Sequence, residues 1–178
     1  MTFFYVNRPY NYYNNEKQMN RFAIFLTLLA LLGSVACDTI DNKSLPNLAV
    51  RIDLGNFALW NTYGVHGMGQ YRIFNREKNI PANFPYNVNT FTGYGGVLLM
   101  MGAEEPLAYD LACPVESSHD IILSIDNENL EAVCPKCGSH YNPLTGAGGP
   151  VRGVAINNKV GMRQYRVLPN NGGYIIVN

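Results

Sequence analysis

Charge is scarce in this chain. Asp, Glu, Lys and Arg make up 15% of its 178 residues, and 13 basic residues cancel 13 acidic ones. A nucleic-acid binder carries a basic patch or stripe, so no nucleic-acid partner is expected. A disordered chain is excluded from the other side, because 47% of the residues are hydrophobic and 12 are tyrosine. Long apolar runs are missing too. Phe22 to Leu32 (FAIFLTLLALL) falls well short of the roughly 20 residues that a spanning helix needs. There is no Gly-x-Ser-x-Gly and no His-Glu-x-x-His, and no Ser-His-Asp or Cys-His arrangement stands out, which argues against a hydrolytic enzyme. His66 sits in a Gly-rich stretch (Gly64 to Gly69) that neither follows a clear strand nor opens a helix, so it does not read as a phosphate-binding loop. No internal repeat and no sustained helical spacing occur.

The N-terminal run has the features of an export signal. Arg21 flanks the apolar core, and Gly33-Ser34-Val35-Ala36 supplies small residues before Cys37. Ser-Val-Ala-Cys resembles the bacterial lipobox, with Ser34 where that motif usually has Leu. The resemblance implies cleavage before Cys37, lipidation of its thiol and a place in the bacterial cell envelope, periplasmic or surface-exposed. Residues 1–36 are then the signal peptide. Met19 is its natural start, and residues 1–18 read as an extension outside it. Residues 37–46, polar and holding Pro46, read as a tether between lipid and domain.

From residue 47 to 178 the chain reads as one all-β domain. Leu48, Val50, Ile52 and Leu54 alternate with Ala49, Arg51 and Asp53, the period of a half-buried strand. Phe57-Ala58-Leu59-Trp60 is taken as the next strand. Tyr94 to Met101, Ile121 to Ile125, Gln164 to Leu168 and Gly173 to Val177 follow, with Gly, Pro and Asn between most of them. Many short strands with turn signals give a sandwich or barrel.

Chemistry concentrates between Cys113 and Pro150. Cys134-Pro135-Lys136-Cys137-Gly138 forms a knuckle whose turn points two sulfurs and nearby N–H groups inward, as metal or iron–sulfur ligation requires. Cys113-Pro114-Val115-Glu116 stands a hairpin's length upstream. Three cysteines besides Cys37 are an odd number for an exported chain. Either one stays free or a metal takes all three. Asp110, Glu116 and Asp120 near Cys113 read as solvated loop acids.

These motifs resemble the Rieske [2Fe–2S] family. That family has Cys-x-His in one loop, Cys-x-x-His-Gly in the next and a Gly-Pro loop over the cluster. Cys113 and Cys134 match its two cysteine ligands. Ser139 and Tyr141 match the hydroxyls that bond toward cluster sulfur, and Gly149 and Pro150 match the covering loop. The likeness runs from about Tyr109 to the C-terminus. It implies a Rieske-like antiparallel sandwich or barrel with a small two-loop subdomain over about 109–153. Both family histidines are replaced, by Val115 and Cys137. Cys137 can still bind iron, whereas Val115 has no donor atom. His119 or His140 is then the candidate fourth ligand, against the plainer reading of both as exposed loop residues. Glu116 is a poorer donor for a soft centre.

Three outcomes stay open. The site is a rewired [2Fe–2S] cluster, a zinc knuckle, or a metal-free loop held by a disulfide. The first makes the protein a single-electron carrier that docks on an unidentified redox or surface partner. Its potential falls toward the all-thiolate value of about −400 mV. The others make it a binding or scaffold lipoprotein of the same fold.

Overall fold

The computed structural model describes residues 39–178. The signal peptide, its 1–18 extension and the candidate lipidation residue Cys37 lie outside the described residues. Among the described residues no helix is long and apolar enough to cross a membrane.

The fold is all-β, with two antiparallel sheets. The strands are β1 (Val50–Leu54), β2 (Tyr71–Phe74), β3 (Phe91–Thr92), β4 (Val97–Met101), β5 (Pro106–Asp110), β6 (Ser124–Asp126), β7 (Glu131–Val133), β8 (His140–Tyr141), β9 (Pro150–Arg152), β10 (Gln164–Asn170) and β11 (Gly173–Val177). Seven of them form a nearly closed, barrel-like sheet in the order β2-β4-β5-β10-β11-β1-β3. The other four form a small sheet in the order β6-β7-β8-β9.

Each strand's pattern follows from what covers it. In β1, Val50, Ile52 and Leu54 face in while Arg51 and Asp53 face out. Strand β4 is apolar throughout because both of its faces are covered. Val97 and Leu99 join the core inside the large sheet, with Phe74, Ala108, Tyr165 and Ile176. Leu98 turns the other way, into a second core with Tyr109, Leu111, Leu123, Tyr141 and Met162. That second core fills the space between the two sheets' elements and contains Cys113 and Cys134. Each fully buried Leu or Ile contributes about 1.5–3 kcal/mol.

Two expectations are corrected. Phe57-Ala58-Leu59-Trp60 is not a strand but the start of helix α1 (Phe57–Tyr63). Asn56 caps it, its side-chain oxygen accepting from the Leu59 N–H at 2.8 Å, and Leu59, Trp60 and Tyr63 pack on the first core. An N-cap bond of this kind stabilises a short helix by about 1 kcal/mol. In the run Ile121 to Ile125, regular pairing begins only at Ser124. Ile122 makes an isolated bridge to Ala112, and Leu123 is a buried plug of the second core. A second short helix, α2 (Val154–Asn158), ends at Lys159 in the left-handed region.

The segment from Thr39, read as part of a polar tether, is packed against the fold. Asp41 bridges Val160, donating to the Lys159 carbonyl at 2.8 Å and accepting from the Gly161 N–H at 3.0 Å. Asn42 donates to the Ala147 carbonyl. Leu45 is 2% exposed, and the Arg163 guanidinium donates to the Lys43 and Leu45 carbonyls.

Candidate metal centre

The site is built from two turns. Cys113 follows β5 and Cys134 follows β7, and both residues start Cys-Pro. In the first turn the Ser117 N–H donates to the Cys113 carbonyl at 2.9 Å; in the second the Gly138 N–H donates to the Cys134 carbonyl at 3.1 Å. Each turn ends in the left-handed region, at Ser117 (φ 48°) and Gly138 (φ 65°). Glycine adopts that conformation at no steric cost.

A buried carboxylate roots the first turn. Asp110, read as a solvated acid, is fully buried. It accepts from the N–H groups of Tyr94 (2.8 Å), Gly95 (2.9 Å) and Ala112 (2.8 Å), and from the Tyr165 hydroxyl (2.5 Å). A buried charge persists only when bonded this fully. Burial, then the Asp110 charge, pushes the Tyr165 hydroxyl far up. Gly95 is required for this close approach, since a Cβ there would meet the Ala112 nitrogen at 2.4 Å.

The turns bring three sulfurs together. The Sγ atoms of Cys113, Cys134 and Cys137 all lie within 4.8 Å of one another, and this group can hold a metal ion. All three are free thiols. Cys113 and Cys137 are 3.7 Å apart, and the Tyr141 hydroxyl lies 3.9 Å from Cys113. Cys113 and Cys134 are 0% and 1% exposed, and Cys137 is half-buried. Ser139 is fully buried beside Cys137, Sγ to Oγ 3.2 Å, and its Oγ accepts from the Ala155 N–H at 3.1 Å.

The thiols differ in acidity. Burial pushes Cys113 up to about 12, against bonds from the Glu116 and Val115 backbone. Burial alone would raise Cys137 as well. Bonds from the Ser139 hydroxyl and N–H, then from the other two cysteines, outweigh it and hold Cys137 below the ordinary thiol range.

The histidines are not brought to the sulfurs. His119 is 59% exposed at its side chain and faces Asp120 at 3.2 Å. His140 turns its Nδ1 to Glu131 at 2.8 Å, and Arg152 donates to the same carboxylate oxygen. Val115 packs against the second core. Glu116 pairs with Lys136 of the other turn at 2.5 Å. Gly149 and Pro150 lead into β9, where Pro150 registers with Tyr141. A Cβ on Gly149 would sit 3.0 Å from Ile40 of the packed N-terminal segment. His66 is exposed, against the Trp60 ring.

The donor set fits a single soft ion. Zn–S bonds of about 2.3 Å in a tetrahedron place sulfurs about 3.8 Å apart, close to the 3.7 Å between Cys113 and Cys137. A four-ligand two-iron cluster takes two ligands on each iron. Among the described residues the close group contains three donors, one short of that set.

No protein-family model matches the chain, and no curated protein matches it.

Proposed function

We propose that the chain is a metal–thiolate protein of the bacterial cell envelope, anchored through a lipid on Cys37, that carries single electrons on a Rieske-like domain. The observation that carries this reading is the convergence of the Cys113, Cys134 and Cys137 sulfurs within 4.8 Å. Iron is the metal of this reading; [2Fe–2S] is the form that the resemblance implies, and it would need a fourth ligand besides the three sulfurs. The protein's part is to hold two sulfurs in the second core and bring the third, on Cys137, toward the surface. Ser139 and Tyr141 tune the sulfurs through their hydroxyls. The resemblance puts Val115, which has no donor, at a ligand position, so a fourth ligand would have to come from elsewhere than that residue.

A zinc knuckle is the second reading, favoured by the 3.7 Å between the Cys113 and Cys137 sulfurs. It would make the centre structural and the protein a scaffold lipoprotein.

Anaerobic purification with iron supplied, followed by metal and sulfide analysis and a visible spectrum, separates the two. Iron with inorganic sulfide and charge-transfer bands supports the electron carrier. One zinc per chain with no sulfide supports the knuckle. A colourless chain without metal overturns both. In either metal-bound case Cys134→Ser is expected to abolish retention, because it removes one of three donors.

A further inference from the structure

We infer that Cys113 and Cys137 form an oxidisable pair, which hydrogen peroxide converts to a disulfide in the metal-free chain while Cys134 stays a thiol. Three observations carry this. The two sulfurs are 3.7 Å apart, so a disulfide of about 2.05 Å needs them to close by roughly 1.7 Å. They come from different turns, so the closure rocks one turn toward the other. Exposure also sets an order of attack: Cys137 is half-buried, whereas Cys113 and Cys134 are sealed in the second core. An oxidant from solvent therefore meets Cys137 first. The Cys137 thiol donates to the Ser139 hydroxyl oxygen at 3.2 Å, and that oxygen is itself held by the Ala155 N–H.

The chemistry balances in two steps. The Cys137 thiolate attacks one peroxide oxygen and the O–O bond breaks. The leaving hydroxide takes a proton and becomes water, and Cys137 is a sulfenic acid. The Cys113 sulfur then attacks the Cys137 sulfur and the S–O bond breaks. The hydroxyl leaves with the Cys113 proton as a second water. Two thiols and one peroxide yield one disulfide and two waters.

The step itself does not depend on the proposed metal. Its consequence does rest on that reading. Oxidation removes two of three sulfur donors, so metal retention and the disulfide exclude each other.

The test uses the full chain, stripped of metal with a chelator under argon. Equimolar hydrogen peroxide is added, remaining thiols are alkylated, and the digest is mapped by mass spectrometry. The expected product links the Cys113 and Cys137 peptides and leaves Cys134 alkylated. A Cys134–Cys137 or Cys113–Cys134 link overturns the inference, as does a Cys137 still alkylated after treatment. In Cys113→Ser the expected product is a Cys137 sulfenic acid trapped by dimedone. The wild-type map decides the matter if that variant fails to fold. Metal content of an untreated aliquot is measured separately, so failure of the metal reading is visible independently.

Discussion

Cys113 and Cys134 each open a turn that begins Cys-Pro, closes on its own cysteine carbonyl and ends in a left-handed residue. Copied backbone does not give copied chemistry. The first turn rests on the buried Asp110 and presents one thiol, which burial makes hard to ionise. The second rests on Ser139 and presents two, one of them half-exposed and readily ionised. At the position where the second turn has Cys137, the first has Glu116, and that carboxylate reaches across to Lys136. The comparison teaches that a turn sets where a sulfur stands, while the groups packed beneath it set what the sulfur does.

Breaking the foundation of the first turn should have the largest effect. Asp110→Ala strands three N–H groups, two of them buried, and the Tyr165 hydroxyl. Leaving such a network open costs about 3–5 kcal/mol, a large share of a domain's stability. Urea unfolding should show a midpoint far below wild type; an unchanged midpoint would remove Asp110 from this role.

The second turn should be more forgiving of the loss of its support. Ser139→Ala leaves the buried Ala155 N–H without its acceptor, at about 1–3 kcal/mol. It should also move the Cys137 thiol upward, since the Ser139 hydroxyl is the foremost group lowering it against burial. The rate–pH profile for iodoacetamide alkylation of Cys137 should shift to higher pH, with Cys113 still the slow thiol. Equal rates at the two cysteines in wild type would collapse the contrast.

The link between the turns should matter less. Glu116→Gln breaks the pair with Lys136, whose side chain is 61% exposed. The Glu116 side chain is 15% exposed, but solvent around the lysine screens the pair, so thermal melting should barely move.

The smallest effect belongs beside the turns. Arg152 first, then His140, holds Glu131 below the usual carboxylate range against a smaller opposing effect of burial. A depressed carboxylate contributes stability above its unfolded value, and this is lost as pH falls through the folded value. Arg152→Gln should therefore lower neutral stability slightly, with the difference from wild type vanishing as pH falls through the folded value. A difference that persists unchanged into acid would show Glu131 to be held by something else.

Legibility in the sequence tracked how many faces of a segment are covered. Strand β1 announces itself by alternation, and β4 by an unbroken apolar run, because one has a single buried face and the other has two. Strand β11 spans the residues expected of it. The Phe57-Ala58-Leu59-Trp60 run has the apolar content of a strand, but the Asn56 cap before it decides for helix. The spacing of the cysteines placed them in two loops, but their convergence depends on Leu111, Leu123 and Tyr141 filling the core beneath. The burial of Asp110 had no local signal. Its partners Tyr94 and Gly95 come from a loop 15 or more residues away, and Tyr165 from a distant strand.

The packed N-terminal segment would act as a tendon under load. A pull arriving upstream of Thr39 is taken up first by the two backbone bonds between Asp41 and the Lys159–Gly161 segment, then by Leu45 in its socket. Strand β1 is shielded from the load behind them. The same stretch reaches the Ala147–Gly149 segment, through the Asn42 bond to the Ala147 carbonyl and through Ile40 beside Gly149. Tension on the chain's leading end is thus delivered to the loop that registers with Tyr141, one side chain away from the Cys113 sulfur.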